Sequence, residues 1–302
     1  MAAQKSVSCI EMGKTLLMSH DQFQEFLASE WDSQKILWEK ARPLIDRKRG
    51  YLIFDDTLLD KPYSNKMNPV YWQWSGNHKR VMKGINKTTL LWTDGKARIP
   101  FDFRLYDKVN DGKTKNVLAR EMIFHARERG FKPELTMFDS WFSGKENLKQ
   151  LQEYNWKFLS EVKCNRTVDG RRVDELEIPE LGKIAHLKSF GAIKVFKRPF
   201  RNEWRYYVTN DLKMTYEQFE KHWESRWKIE EYHREVKQFC QVARCQARLK
   251  QSQEHHIVCS MVAFLKFEIN RLKKGISFNE QKLLPVRNEI RLSTWRPAFT
   301  WA

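Results

Sequence analysis

The sequence contains few cysteines, and their spacing predicts neither a disulfide framework nor a compact metal site. There are five in 302 residues, an odd number without a Cys-x2-Cys pair. Cys240 and Cys245 are followed by His255 and His256, which leaves zinc binding as an alternative. Buried, reduced thiols are the preferred interpretation, and they favour a reducing compartment.

Long hydrophobic runs are also missing. The longest, residues 257–267, is interrupted by Lys266 and falls short of the ~20 apolar residues that a membrane span needs. This run therefore predicts a core helix. Residues 1–14 contain no apolar stretch of the kind found in secretory signals. We expect no secretion and no membrane partner.

Acidic residues are scarce relative to basic ones. The 38 Asp and Glu residues stand against 55 Lys and Arg, which gives a net charge of +17 and a pI near 9.6. Such a positive field favours a polyanionic partner, and nucleic acid fits best. Hydrophobic residues make up 41% of the chain, enough for a globular core. This length allows one large domain or two smaller ones.

Four residues at helical spacing carry the clearest functional signal. Trp223, Arg226, Glu230 and Lys237 lie in a basic, helix-forming segment, residues 215–240, and would share one helix face. A Glu between Arg and Lys on a helix could simply form surface ion pairs with them. The same pattern suits an acid that holds a metal ion while neighbouring cations hold phosphates.

Further acidic positions follow short apolar runs that predict strands. Asp55 and Asp56 come after residues 51–54, and Asp139 comes after residues 135–138. An Asp at a strand end is often only a turn or capping residue. Together with Glu230, these acids suggest a metal-dependent phosphoryl-transfer site.

These motifs resemble the insertion-sequence DDE transposase superfamily. The spacing W-x2-R-x3-E-x6-K is similar to its Y-x2-R-x3-E-x6-K signature, with Trp223 where the family usually has Tyr. The contexts FDDTLLDK, FDSWF and RWKIEEYHREVKQ look like the family's first Asp, second Asp and Glu blocks, in the family's order. The agreement covers residues 50–248. It implies an RNase H-like core that cuts and rejoins DNA at the ends of a mobile element.

The resemblance implies a catalytic role for Asp56, Asp139 and Glu230. They would hold two Mg²⁺ ions, for which Mn²⁺ could substitute. Asp56 is preferred over Asp55 because the family's catalytic Asp directly precedes Thr. Asp55 remains an alternative, since adjacent side chains on a strand face opposite sides and only one can point into the site.

Six residues are candidates for DNA contacts. By resemblance, Arg226 and Lys237 would bind phosphates beside the scissile bond. Trp223 could stack on a displaced base, donate its indole N–H, or pack in the core. Beyond the helix, the residues that leave a predicted strand could contact the DNA backbone or form only a polar turn; these are Lys163, Asn165 and Arg166.

Hydrophobic patterning predicts an α/β fold in four regions. Residues 1–49 form a helical region, either a cap on the core or a module that grips DNA. Residues 50–162 form the first part of the RNase H-like core, in the order hairpin, helix, strand, helix, strand. Residues 163–214 form a β-rich insertion between the second Asp and the Glu. Residues 215–302 form the helix of the catalytic Glu and a basic helical C-terminal region.

The resemblance implies a prokaryotic insertion-sequence transposase of the cytoplasm and nucleoid. It would cleave the element's terminal inverted repeats and join them to target DNA as a homodimer in a synaptic complex. One alternative is a catalytically silent, domesticated DNA-binding protein of the same fold. Another is an RNase H-like nuclease without strand transfer.

Overall fold

The computed structural model describes residues 9–76 and 79–285. The outer parts of the predicted terminal regions, residues 1–8 and 286–302, lie outside the described residues. The chain divides into two compact units. The larger unit comprises Ala41–Asn65 and Pro69–His233, and the smaller comprises Met1–Lys40, Lys66–Asn68 and Arg234–Ala302.

The larger unit is built on a mixed sheet that joins nine of the described strands in the order β2-β3-β1-β5-β6-β11-β10-β9, with β4 paired to β3. A separate two-stranded sheet is formed by β7 and β8. The strands are β1 Tyr51–Asp60, β2 Tyr71–Ser75, β3 Arg80–Thr93, β4 Ile99–Leu105, β5 Leu135–Phe138, β6 Phe158–Val162, β7 Thr167–Val168, β8 Arg171–Arg172, β9 Lys183–Leu187, β10 Gly191–Phe200 and β11 Glu203–Thr209. The predicted α/β class is confirmed.

The helices with both ends described are α1 Cys9–Leu16, α2 His20–Ala28, α3 Ser33–Ala41, α4 Lys108–Asp111, α5 Lys115–Glu128, α6 Lys145–Glu153, α7 Tyr216–Phe239 and α8 Lys250–Lys274, and residues 278–285 are also helical. Short 3-10 turns occupy Arg42–Leu44 and Val173–Glu175. Among the described helices, none is long and apolar enough to cross a membrane.

The centre of the sheet combines antiparallel and parallel pairing. Strand β1 pairs antiparallel with β3 from Tyr51↔Thr93 to Asp60↔Gly84, and parallel with β5, which is itself parallel to β6. Parallel neighbours need crossover connections, and α5 and α6 provide them. All four residues of β5 are buried, as expected for a strand covered on both faces. The predicted order of hairpin, helix, strand, helix and strand is confirmed.

Helix α5 illustrates how local sequence sets these crossovers. The Thr114 hydroxyl accepts a hydrogen bond from the Val117 N–H at the start of the helix. Its buried face carries Leu118, Met122 and Ile123. The chain leaves the helix through Gly130, whose φ of +80° is readily adopted only by glycine.

Strands β9, β10 and β11 extend the same sheet beyond β6. Strand β11 pairs antiparallel with β6 from Tyr206↔Val162 to Thr209↔Leu159, and β10 pairs with both β11 and β9. The β10–β11 connection is a tight turn at Arg201, which has a φ of +56°. Residues of the 163–214 region thus lie in the larger unit.

The smaller unit consists mainly of helices. Helix α2 packs against α1 and α8, and it begins with a capping box between Ser19 and Gln22, as its sequence predicts. The His255 ring nitrogens lie 2.9 Å from the Leu27 carbonyl and 3.2 Å from the Trp31 carbonyl. The predicted core helix at residues 257–267 is confirmed as part of α8.

The cysteines only partly follow the prediction of buried thiols. Cys240 and Cys245 are buried, and burial raises the pKa of the Cys240 thiol to about 12. Cys164 and Cys259 are exposed, contrary to the prediction. Cys259 is exposed because it lies on the outer face of α8, whereas its neighbours Ile257 and Val258 are buried.

Candidate active site

Two acids come together through the parallel pairing of β1 and β5. Ile53 is the register partner of Met137, so Asp55 and Asp139 each lie two residues further along their strands. Residues two positions apart on a strand share a face. Asp55 is buried, and Asp139 follows the last residue of β5. The parallel register of β1 and β5 therefore places two carboxylates side by side, one inside β1 and one directly after β5.

Helix α7 brings Arg226 and Glu230 to the same place. One guanidinium nitrogen of Arg226, Nη2, lies 3.6 Å from Asp55 Oδ2, and the other, Nη1, lies 3.6 Å from Glu230 Oε1. The Arg226 side chain is only 11% exposed. Arg226 therefore bridges an acid on the sheet and an acid on the helix.

The position of α7 is fixed by contacts to neighbouring strands. Lys87 on β3 donates a hydrogen bond of 2.9 Å to the Tyr232 hydroxyl, and Arg98 lies 3.4 Å from the Glu231 carboxylate. Both cations are buried, so each needs its polar partner. These contacts hold the Glu230 turn of α7 against the sheet.

The electrostatics of the site are dominated by burial and by competing charges. Burial raises the pKa of Asp55 well above its usual value, Arg226 opposes the rise, and the charges of Asp139 and Glu230 add to it. Burial likewise raises the pKa of Asp139, against the effect of Arg226 and with the help of Asp56. Burial lowers the pKa of Arg226, but the surrounding carboxylates outweigh burial and raise it overall. When ionised, Asp55, Asp139 and Glu230 carry three negative charges against the one positive charge of Arg226.

The two candidates for the first acid, Asp56 and its alternative Asp55, have different surroundings in the structure. Asp56 accepts hydrogen bonds from Lys115 Nζ, at 2.7 Å, and from the side-chain amide of Asn86. Asp55, the alternative, is the acid that faces Arg226. Adjacent residues of β1 point to opposite sides, so Asp55 meets Arg226 of α7 and Asp56 meets Lys115, although the charge of Asp56 still raises the pKa of Asp139.

Sequence comparison identifies the family. The family model described as DDE superfamily endonuclease matches residues 1–179, more than half of the chain. This protein belongs to the DDE superfamily endonucleases. The family model of the archaeal putative transposase ISC1217 matches residues 103–265, which confirms the resemblance to insertion-sequence DDE transposases.

Solved structures of transposases are similar to this DDE endonuclease at low sequence identity. The piggyBac transposase synaptic complex with hairpin DNA matches with a TM-score of 0.47 and 13% identity, covering 83% of this chain and 55% of that chain. The Mos1 transposase paired-end complex with left transposon end matches with a TM-score of 0.21 and 12% identity, covering 51% and 54%. The DDE endonuclease thus spans about half the length of these transposases. No curated protein matches it.

The predicted DNA-contacting residues lie on helix α7 and in the turn after β6. Trp223 packs edge-on against Tyr207 at a ring distance of 4.6 Å, and the Arg226 guanidinium lies 5.2 Å from its ring. Lys237 lies on the same helix, two turns beyond Glu230, in the smaller unit. The residues after β6 form a turn in which Lys163 and Asn165 are exposed and Arg166 is half-buried.

Several residues beside the acids escaped the sequence analysis. Glu161 on β6 is 3.4 Å from Arg205, and burial raises its pKa while Arg205 and Arg226 oppose the rise. An acid inside the apolar strand FLSEV was the available signal for Glu161. Lys115 and Asn86 gave no signal, because only the folded sheet shows that they contact Asp56.

The oxygen donors of these acids suit a divalent cation, but in the described residues their side chains are not arranged as a metal site. In the described part of the chain, no three His, Cys, Asp or Glu side chains are grouped so that they could hold a metal ion. Arg226 lies between Asp55 and Glu230 instead. The donors are nevertheless hard oxygens with unbalanced negative charge, which suits a divalent cation. Thr89, opposite Asp55 on β3, also has a buried hydroxyl without a hydrogen-bond partner.

Proposed function

We propose that this DDE endonuclease is a transposase that cleaves the ends of an insertion sequence and joins them to target DNA. The observation that carries the proposal is the cluster of Asp55, Asp139 and Glu230 around Arg226. Acids gathered from two neighbouring strands and a helix destabilise each other unless a cation compensates their charge. Their sequence contexts are those of the DDE motifs.

The acids proposed to hold divalent metal are Asp55, Asp139 and Glu230, with Asp55 in place of Asp56. When bound, two divalent ions would activate the attacking hydroxyl and stabilise the leaving oxygen of a phosphodiester. Mg²⁺ is the expected ion, with Mn²⁺ as a substitute. Burial and neighbouring carboxylates raise the pKa values of Asp55 and Asp139, and a bound cation would offset that cost of ionisation, which supports this assignment.

Arg226 is proposed to bind the phosphate beside the scissile bond. Its Nε is buried and has no hydrogen-bond partner, so the guanidinium has a donor to spare. Its contacts to Asp55 and Glu230 are ion pairs at 3.6 Å, longer than ordinary hydrogen bonds. A DNA phosphate offers Arg226 a closer, bidentate partner. Lys237 is proposed to add a second phosphate contact from the same helix.

The proposed partners are the element's terminal inverted repeats and target DNA, bound by a homodimer in a synaptic complex. The net charge of +17 supports binding to a polyanion. A catalytically silent DNA-binding protein remains the rival function. Nicking without joined products would instead indicate a nuclease that lacks strand transfer.

The test is cleavage of a plasmid that carries the DNA flanking this gene, with and without Mg²⁺. Glu230→Gln should abolish cleavage and leave DNA binding nearly intact. Glu224→Gln is the matched control, because Glu224 is an exposed acid on the same helix. Metal-dependent cuts that need Glu230 but not Glu224 would support the transposase. Binding without cleavage by the unaltered protein would support the silent alternative.

A further inference from the structure

Trp141 is an exposed tryptophan fixed beside an acid of the site. Its backbone N–H donates a hydrogen bond of 3.0 Å to Asp139 Oδ1. The next residue, Phe142, is fully buried, whereas the Trp141 side chain is 54% exposed. The turn after β5 therefore anchors the backbone of Trp141 and leaves its ring accessible to solvent.

Two lysines approach this ring. Lys115 Nζ lies 5.4 Å from the ring centroid and Lys163 Nζ lies 5.8 Å from it. Lys115 also forms the 2.7 Å ion pair with Asp56, so its position is fixed by the sheet. Lys163 is exposed and follows directly on β6, the strand next to β5. The aromatic ring is thus accompanied by one fixed and one solvent-accessible ammonium group.

An exposed aromatic ring with ammonium groups beside it matches the chemistry of a nucleotide. A base stacks on the ring, and a lysine binds the adjoining phosphate. A base inside a duplex already has stacking partners on both faces, so the ring would select an unpaired base. The position of Trp141, two residues from Asp139, places such a base next to the acids.

We propose that Trp141 stacks on an unpaired nucleobase of the DNA strand at the acid site, and that Lys163 contacts the phosphate of that nucleotide. This inference rests on the proposed function, because it assumes that the acids act on DNA. Trp141 would be a positioning residue: it orients the strand and takes no part in the bond changes.

The test compares binding of an oligothymidylate and of a blunt duplex to the full chain without metal. Trp141→Ala should weaken oligothymidylate binding about 5- to 150-fold, the loss expected for one stacked base, and change duplex binding less than about twofold. Trp141→Phe should restore most of the affinity. Trp74→Ala is the matched control, because Trp74 is 67% exposed on β2, and it should bind as the unaltered protein does.

A second readout separates stacking from a merely structural role. An aminopurine base placed in the oligothymidylate should be quenched by the unaltered protein and by Trp141→Phe, but not by Trp141→Ala. Equal quenching and affinity in Trp141→Ala would overturn the inference, and so would an equal loss on duplex and single strand. A change in oligomeric state with DNA binding intact would also overturn it, since Trp141 would then be covered by protein. If the unaltered protein binds neither DNA, the proposed function fails first.

Discussion

Changing Asp55 and Asp56 to Asn one at a time should distinguish the roles of these two adjacent acids, because their surroundings differ. Burial raises the pKa of Asp55, with Arg226 opposing and Asp139 adding to the rise. Asp56 instead has an ion pair with Lys115 at 2.7 Å. The two substitutions should therefore have opposite effects on stability as well as different effects on cleavage.

The stability effects follow from the sign of each interaction. A folded-state pKa one unit above the unfolded value costs an acid about 1.4 kcal/mol at pH values above both. The attraction to Arg226 is already part of the raised pKa of Asp55, so Asn at position 55 avoids a net cost, and we expect a gain of about 1 kcal/mol, or about 2–4 °C in Tm. Asn at position 56 loses a partly shielded ion pair, whose partners are 17% and 20% exposed, and should lower Tm by a similar amount.

The effects on cleavage should be the reverse of the effects on stability, because the more stable variant, Asp55→Asn, should be the less active one. Asp55→Asn should slow metal-dependent plasmid cleavage by about a thousandfold, because losing one charged ligand removes several kcal/mol of transition-state stabilisation. Asp56→Asn should remain within about tenfold of the unaltered protein. The assay is plasmid cleavage with Mg²⁺, together with thermal melting at pH 7. An active Asp55→Asn and an inactive Asp56→Asn would refute this reasoning and restore the assignment based on the family's Asp–Thr pair.

Arg226→Gln should lower the free energy of unfolding by about 3–5 kcal/mol in urea at pH 7, because it leaves buried carboxylates without their cation; a loss under about 1 kcal/mol would contradict the ion-pair geometry. The folded-state pKa values of Asp55 and Asp139 are raised, so between the unfolded and folded pKa values the folded protein binds more protons than the unfolded chain. The free energy of unfolding should therefore fall as pH rises from about 4 through the folded pKa values. Melting at a series of pH values should therefore give a shallower fall for Asp55→Asn, and an identical slope would argue against that shift. Lys237→Gln should reduce the salt slope of DNA binding by about one, whereas an unchanged slope would assign Lys237 to an ion pair.

Local patterns were enough to predict most core elements. The strand Leu135–Phe138 agrees with the predicted residues 135–138 at both ends. Strand β1 was predicted to end at Phe54 but continues to Asp60. The unbroken run of apolar residues ends at Phe54, whereas backbone pairing to β3 continues the strand through both acids.

The choice between Asp55 and Asp56 could not be made from the sequence. Alternation showed that the two face opposite sides, but the side that matters depends on where α7 packs. Contacts such as Lys87 to Tyr232 join residues far apart in the chain and fix that position. Trp223 posed the same problem, since its partner Tyr207 on β11 is known only once the sheet is assembled.

The long ladder between β1 and β3 sets which of the two adjacent acids faces α7. A slip of one residue would turn Asp56 toward α7 and Asp55 away from it. At the far end of the ladder, Gly84 pairs with Asp60, and a Cβ there would collide with the Leu59 carbonyl oxygen and lie 2.9 Å from the Leu58 side chain. A side chain at position 84 would push the two strands apart where their alignment is set. A substitution that touches no acid could therefore change which of the two neighbouring carboxylates faces α7.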